Sequence, residues 1–179
     1  MADTALLIID IQKDYFPGGA MELEGAEAAG AKAGEVLEKF RKESIPVFHV
    51  RHLSIRPGAT FFLPGTTGVE IYDAVLPREG EIVVEKNFPN AFRGTALQNY
   101  LDKHKIKNLV VAGMMTHMCV DASVRAAADL GYKVTLLADA CATRNQAFGG
   151  ETIPARQVHG AFLAALNGFY AKVVNTHEL

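Results

Sequence analysis

Three residue types that together support nucleophilic attack on a carbonyl stand at the ends of three apolar runs. Asp10 closes ALLIID (residues 5–10), Lys86 closes EIVVEK (81–86), and Cys119 follows NLVVAG (108–113) across the short knot MMTHM. A thiol attacks as its thiolate. A helix N-terminus and a nearby ammonium favour that form, and a carboxylate can take the proton. Asp10 follows four aliphatic residues, a setting in which a carboxyl group can accept a proton and later return it. Lys86 would balance the charges. Taken singly, each has an ordinary alternative: Asp10 as a turn cap, Lys86 as a solvated strand end, Cys119 as a small core hydrophobe. Their recurrence at three strand ends favours chemistry.

Such groups need a frame that brings strand ends together. ALLIIDI (5–11), PVFHVRH (46–52), EIVVEK (81–86), NLVVAG (108–113), KVTLLAD (133–139) and AKVVN (171–175) are short apolar runs bounded by polar or turn residues, the pattern of buried strands. Between most of them lie alanine-rich segments of helical spacing: GAEAAGAKAGEVLEKFRKES, GTALQNYLDKHK, CVDASVRAAADLGY and ETIPARQVHGAFLAALNGF. Alternating strands and helices predict right-handed crossovers and a parallel sheet covered on both faces, with functional groups beyond the carboxyl ends of the strands. The one long irregular segment, residues 53–80, is rich in proline and glycine, and its Phe61, Phe62 and Leu63 predict an ordered cover or an oligomer contact.

The chain of 179 residues, 49% hydrophobic, is expected to form one domain over residues 1–179. Eighteen Lys and Arg against 20 Asp and Glu, without a block of one sign, argue against a nucleic-acid surface or a polybasic membrane anchor. The start, MADTALLIIDIQKDYF, reads as neither a signal peptide nor a membrane span, so a cytoplasmic location is expected, with Cys119 and Cys141 as free thiols.

The segments D-I-Q-K-D-Y-F (10–16), K-N-F-P-N-A-F (86–92) and G-M-M-T-H-M-C-V (113–120), in that order, resemble the isochorismatase-like cysteine hydrolase family over nearly the whole chain. The resemblance implies a three-layer α/β/α fold with a six-stranded parallel sheet of order 3-2-1-4-5-6. Strands one and four would be adjacent, with Asp10 and Cys119 facing each other. Lys86 would stand two strands from Asp10, about 10 Å away at the usual spacing, so the chain after strand three must bend its side chain inward. The implied activity is hydrolysis of a small amide or ureido compound: Cys119 attacks, Asp10 shuttles the proton, and the backbone N–H groups of Met115 and Cys119 hold the oxyanion beside a cis Met114–Met115 peptide. A homo-oligomer is also implied. Two other readings stay open, an isochorismatase proper cleaving a vinyl ether and a redox-responsive binding module with Cys119 as sensor.

Secondary expectations concern the surroundings. Tyr15, Phe16, Phe61 and Phe92 are candidates for an aromatic wall, with His52 lining the pocket and Arg51 or Arg56 anchoring a substrate carboxylate or serving as a surface contact. Thr116 faces the substrate or fixes the knot through its hydroxyl, and Met114, Met115 and Met118 read as local packing. Relatives that are nicotinamidases bind a metal near His49 and His52, but Val50, Arg51 and His52 stand where the aspartate of such a site belongs; no metal and no other cofactor are expected. His117 is too close in sequence to Cys119 to be its natural base. Gly18–Gly19 and Gly149–Gly150 lack the spacing of a phosphate loop.

Overall fold

The computed structural model describes residues 3–179. The apolar runs form β1 (Thr4–Ile9), β2 (Val47–His52), β3 (Ile82–Lys86), β4 (Asn108–Met114) and β5 (Lys133–Ala142). A hairpin of β6 (Gln146–Phe148) and β7 (Glu151–Ile153) precedes the last sheet strand, β8 (Lys172–Val174). The six strands of the main sheet pair in parallel in the order β3-β2-β1-β4-β5-β8. This is the predicted topology with an unforeseen hairpin between its fifth and sixth strands. The sequence ETIPAR carries the start of that difference: Pro154 ends the hairpin and supplies the N-cap of the following helix.

Four helices complete the layers: α1 (Ala26–Lys42), α2 (Leu97–Lys103), α3 (Asp121–Asp129) and α4 (Ala155–Leu166). Because successive strand residues point to opposite faces, β1 splits its wholly buried side chains between two cores. Leu6 and Ile8 join Ala33, Leu37 and Phe40 of α1 on one side. Ala5, Leu7 and Ile9 join Leu97 and Leu101 of α2 and Val124 of α3 on the other. The central position of β1 follows from this two-sided burial, and it places Asp10 at the sheet's middle edge.

The 53–80 segment is ordered against the domain. Tyr72 N–H donates to the Ile11 carbonyl at 2.9 Å and Lys13 N–H to that of Glu70 at 2.9 Å. Phe62, Val69, Ile71 and Val75 are buried in the α1-side core, and each such side chain removed from water contributes about 1.5–3 kcal/mol. Among the described residues no helix is long and apolar enough to cross a membrane.

Candidate active site

Asp10 is the first residue beyond β1. It is fully buried, it holds the left-handed conformation at φ 51°, and its N–H donates to the Val50 carbonyl at 3.0 Å. A non-glycine residue in that region carries strain of order 1–3 kcal/mol, of the kind that collects at functional sites. Lys86 is the last residue of β3 and lies in register with His52 of β2. Its Nζ stands 2.6 Å from Asp10 Oδ2, 2.9 Å from His52 Nδ1 and 3.3 Å from Cys119 Sγ. The lysine stem reaches these groups across the width of β2, and the chain bends over residues 87–90 directly after β3.

Cys119 lies in a π-helical turn, Thr116–Val120, that feeds directly into α3, with Val120 N–H reaching the Met115 carbonyl at 3.3 Å. Upstream, the Met114–Met115 peptide is cis. Gly113 sits opposite Ile9 of β1, and a side chain there would strike the Ile9 carbonyl, so only glycine lets β4 approach β1 before the knot. Thr116, wholly buried, donates its hydroxyl to the Ala142 carbonyl at 3.2 Å, and His159 Nδ1 lies 2.8 Å from the same oxygen. The hydroxyl thus ties the knot to β5 and α4. Thr116 does not line the cavity, which corrects its assignment as a substrate contact.

The electrostatics of the trio are set by its dryness. Burial and the adjacent Asp10 carboxylate push the Cys119 thiol above its ordinary value, and Lys86 only partly opposes them. Burial and Asp10 thus favour the thiol form of the resting sulfur, opposite in direction to the thiolate that the sequence led one to expect; the carboxylate that is placed to take the proton also discourages its loss. Burial would lower Lys86, but Asp10 and Cys119 outweigh it and hold the ammonium charged. Burial and the ammonium bring His52 down to about 4, so its neutral ring accepts a hydrogen bond from Lys86 through Nδ1. Neither carboxylate oxygen of Asp10 has a hydrogen bond of regular geometry, which leaves acceptor capacity facing the thiol.

Asp10, His52 and Cys119 offer donor atoms within 4.8 Å of one another. The Lys86 ammonium already touches all three, so the set does not fit a resident cation. His49 does not converge with His52: it is buried further down β2, its Nε2 2.9 Å from Glu81 Oε2, in a network with Arg41.

A cavity of about 640 Å³ opens above the trio, within the range of small-ligand sites. Cys119, His52, Tyr15, Phe61 and Met115 line it, as do residues that the sequence did not single out as contacts: Met21, Phe62, Asn87, Phe88, Arg93 and Arg144. Met118 lines it too, rather than serving only as packing. Arg56 faces the cavity, whereas Arg51, one residue before His52 and so on the opposite side of β2, pairs with Glu85. Two aromatic assignments need correction. Phe16 is buried in the α1-side core, stacked on Tyr72 with ring centroids 3.4 Å apart, and Phe92 packs on Tyr132 at 6.0 Å. His117 also turns away, toward Thr143 Oγ1 at 2.5 Å and the Phe162 ring.

Gln12 and Asp14 were legible as part of the first motif but not as supports. Gln12 Oε1 accepts the His52 N–H at 2.7 Å, while its Nε2 donates to the His52 carbonyl at 3.0 Å and the Val69 carbonyl at 2.8 Å. Asp14 accepts from Phe62 N–H at 2.6 Å and from Ala20 N–H at 3.1 Å. Gly68 leaves room for that carboxylate, which any side chain there would strike. The alternation Asp10, Gln12, Asp14 therefore sets one reactive group and two struts for the wall around it.

An isochorismatase domain model matches residues 4–178. The chain belongs to the isochorismatase family. It is accordingly a hydrolase, and it shares 49% identity over 173 residues with the uncharacterized isochorismatase family protein YddQ of Bacillus subtilis, covering 97% of this chain and 96% of that one. Nicotinamidase 3 of Arabidopsis thaliana is 30% identical over 98% of this chain and 86% of its own length. A crystal structure from Oleispira antarctica, described as an isochorismatase hydrolase, superposes with a TM-score of 0.95 at 49% identity, covering 99% of this chain and 95% of that one.

Proposed function

We propose that this isochorismatase-family hydrolase cleaves the C–N bond of a small amide or ureido compound through an acyl-enzyme on Cys119. The single observation that carries the reading is the contact of the Lys86 ammonium with both Asp10 and Cys119, at 2.6 and 3.3 Å, where Cys119 lines the cavity. The nicotinamidase relative, whose name denotes an amide substrate, agrees with it.

In this mechanism the Cys119 thiol gives its proton to Asp10 as sulfur attacks the carbonyl carbon. Lys86, paired to both groups, keeps the developing sulfur anion and the losing carboxylate in charge balance. The carbonyl oxygen, now an anion, is taken by the backbone N–H groups of Met115 and Cys119. Asp10 returns the proton to the departing nitrogen, the C–N bond breaks, and a thioester remains. Asp10 then deprotonates water, which attacks the thioester carbon. The C–S bond breaks and sulfur recovers the proton from Asp10.

Incubation with a panel of primary amides and ureido acids, following ammonia release, tests the reading. Turnover that disappears in Cys119→Ala, with a mass increment on Cys119 in quenched wild-type samples, is the expected result. Pyruvate release from isochorismate that survives Cys119→Ala would overturn it in favour of vinyl ether hydrolysis.

A further inference from the structure

The cavity wall carries three arginines, Arg56, Arg93 and Arg144, and not one carboxylate. Arg56 comes from the 53–80 segment, Arg93 from the loop that follows β3, and Arg144 from the end of β5 toward the hairpin. Three unrelated loops therefore each bring a guanidinium to one opening. Among the described residues none of the three makes an ion pair, whereas Arg41, Arg51, Arg78 and Arg125 all do. The chain as a whole is slightly acidic, at net charge −2, so the concentration of positive charge is local to the cavity.

The charges reach the reacting floor. Arg144 opposes the upward shift that burial imposes on the Tyr15 hydroxyl, and Arg56 adds to the downward shift of His52. Arg93 is set in place: its guanidinium lies 3.8 Å from the centroid of the Phe88 ring, itself part of the wall. A guanidinium held on an aromatic face keeps its N–H edge free to meet a planar oxyanion side-on.

We propose that the substrate carries a carboxylate remote from its scissile amide or ureido group, and that Arg56, Arg93 and Arg144 select for it. What the carboxylate is attached to rests on the hydrolase reading above; that the cavity takes an anion does not. The arginines are positioned to bind substrate at the mouth and to orient the neutral carbonyl toward Cys119. Their unpaired charges also raise the local concentration of an anion before it docks.

Alkylation of Cys119 by two matched reagents tests this without a substrate: neutral N-ethylmaleimide and its anionic counterpart 3-maleimidopropionate, each rate divided by that of the neutral thiol N-acetylcysteinamide. Both reagents meet the same thiolate fraction, so their ratio reports only the cavity's charge preference. A ratio of roughly tenfold or more in favour of the anion is expected, compressed by added salt. It should fall stepwise in Arg56→Gln, Arg93→Gln and Arg144→Gln and approach one in the triple variant. A wild-type ratio near one, or a ratio that the triple substitution leaves intact, would overturn the proposal. Alongside it, ammonia release from succinamate and from its methyl ester separates the two readings. A preference for the anionic maleimide with no turnover of any amide sinks the hydrolase mechanism and keeps the anion site. Turnover of both amides at equal kcat/KM, with no maleimide preference, does the reverse.

Discussion

Gln12 grips His52 by both of its backbone polar groups, accepting from the N–H at 2.7 Å and donating to the carbonyl at 3.0 Å. The same amide reaches Val69, so one buried side chain holds the end of β2 and the 53–80 segment together.

Gln12→Ala should therefore loosen both the floor and the wall of the cavity. Three hydrogen bonds are lost, the one to Val69 buried and the two to His52 part-buried, which costs on the order of 2–4 kcal/mol. Urea denaturation measures that loss, and in the surviving folded enzyme KM should rise more than kcat falls. A variant of unchanged stability would show that water replaces the amide without cost.

Asp10 both raises the proton affinity of Cys119 and, in the proposed mechanism, removes that proton. Asp10→Asn should separate the two effects. Without the carboxylate the thiol ionises more readily beside Lys86, so iodoacetamide should label Cys119 faster at pH 7 than in the wild type. Amide turnover should nevertheless drop by roughly 10²–10⁴. Slower labelling in the variant would mean that the carboxylate favours the thiolate, contrary to the electrostatics derived above.

Lys86 is almost wholly buried against Asp10. Lys86→Met should destabilise the fold by about 3–5 kcal/mol, because it leaves an uncompensated carboxylate in the interior. The double variant Asp10→Asn, Lys86→Met, in which neither charge remains, should recover part of that loss while staying inactive. Denaturation midpoints of the four proteins form the test; a double variant no more stable than Lys86→Met would locate the damage in packing instead.

Acid stability should depend on a cluster on the far side of β2 from the cavity. Burial pulls Glu81 up, but hydrogen bonds from Arg41, the Arg78 N–H and His49 bring it down to about 2 from an ordinary 4.5. The unfolded chain thus binds a proton that the fold rejects. The stabilisation is complete above about pH 4.5 and is lost as pH falls toward about 2. His49, lowered by burial, acts in the same direction. Glu81→Gln should lower the melting temperature at pH 7 and flatten its decline between pH 5 and 3; an unchanged slope would remove Glu81 from the account.

The strands and their parallel pairing were readable because buried strands leave a mark, an aliphatic run followed at once by a polar residue, as in LLIID and IVVEK, whereas their order was implied only by the family resemblance. Asp10, Lys86 and Cys119 were readable for the same reason. Strand spacing did not reveal how far the Lys86 stem reaches, because side-chain length is independent of backbone pitch. Motif membership misled for Phe16 and Phe92, since a quoted run does not say which face each ring takes. Arg93 and Arg144 lie in loops with no periodicity to mark them, and the hairpin after β5 was hidden in a segment of helical composition. The sign of the Cys119 shift was missed because burial, which depends on the finished fold, outweighs the lysine that could be seen in the sequence.

The Lys86 ammonium occupies the centre of an aspartate, histidine and cysteine set that is otherwise the donor type of a soft divalent site. The protein thus carries its counter-cation on a covalent tether. Such a cation cannot be stripped by chelators or exchanged for a competing ion, and its supply is guaranteed by translation rather than by the metal content of the surroundings.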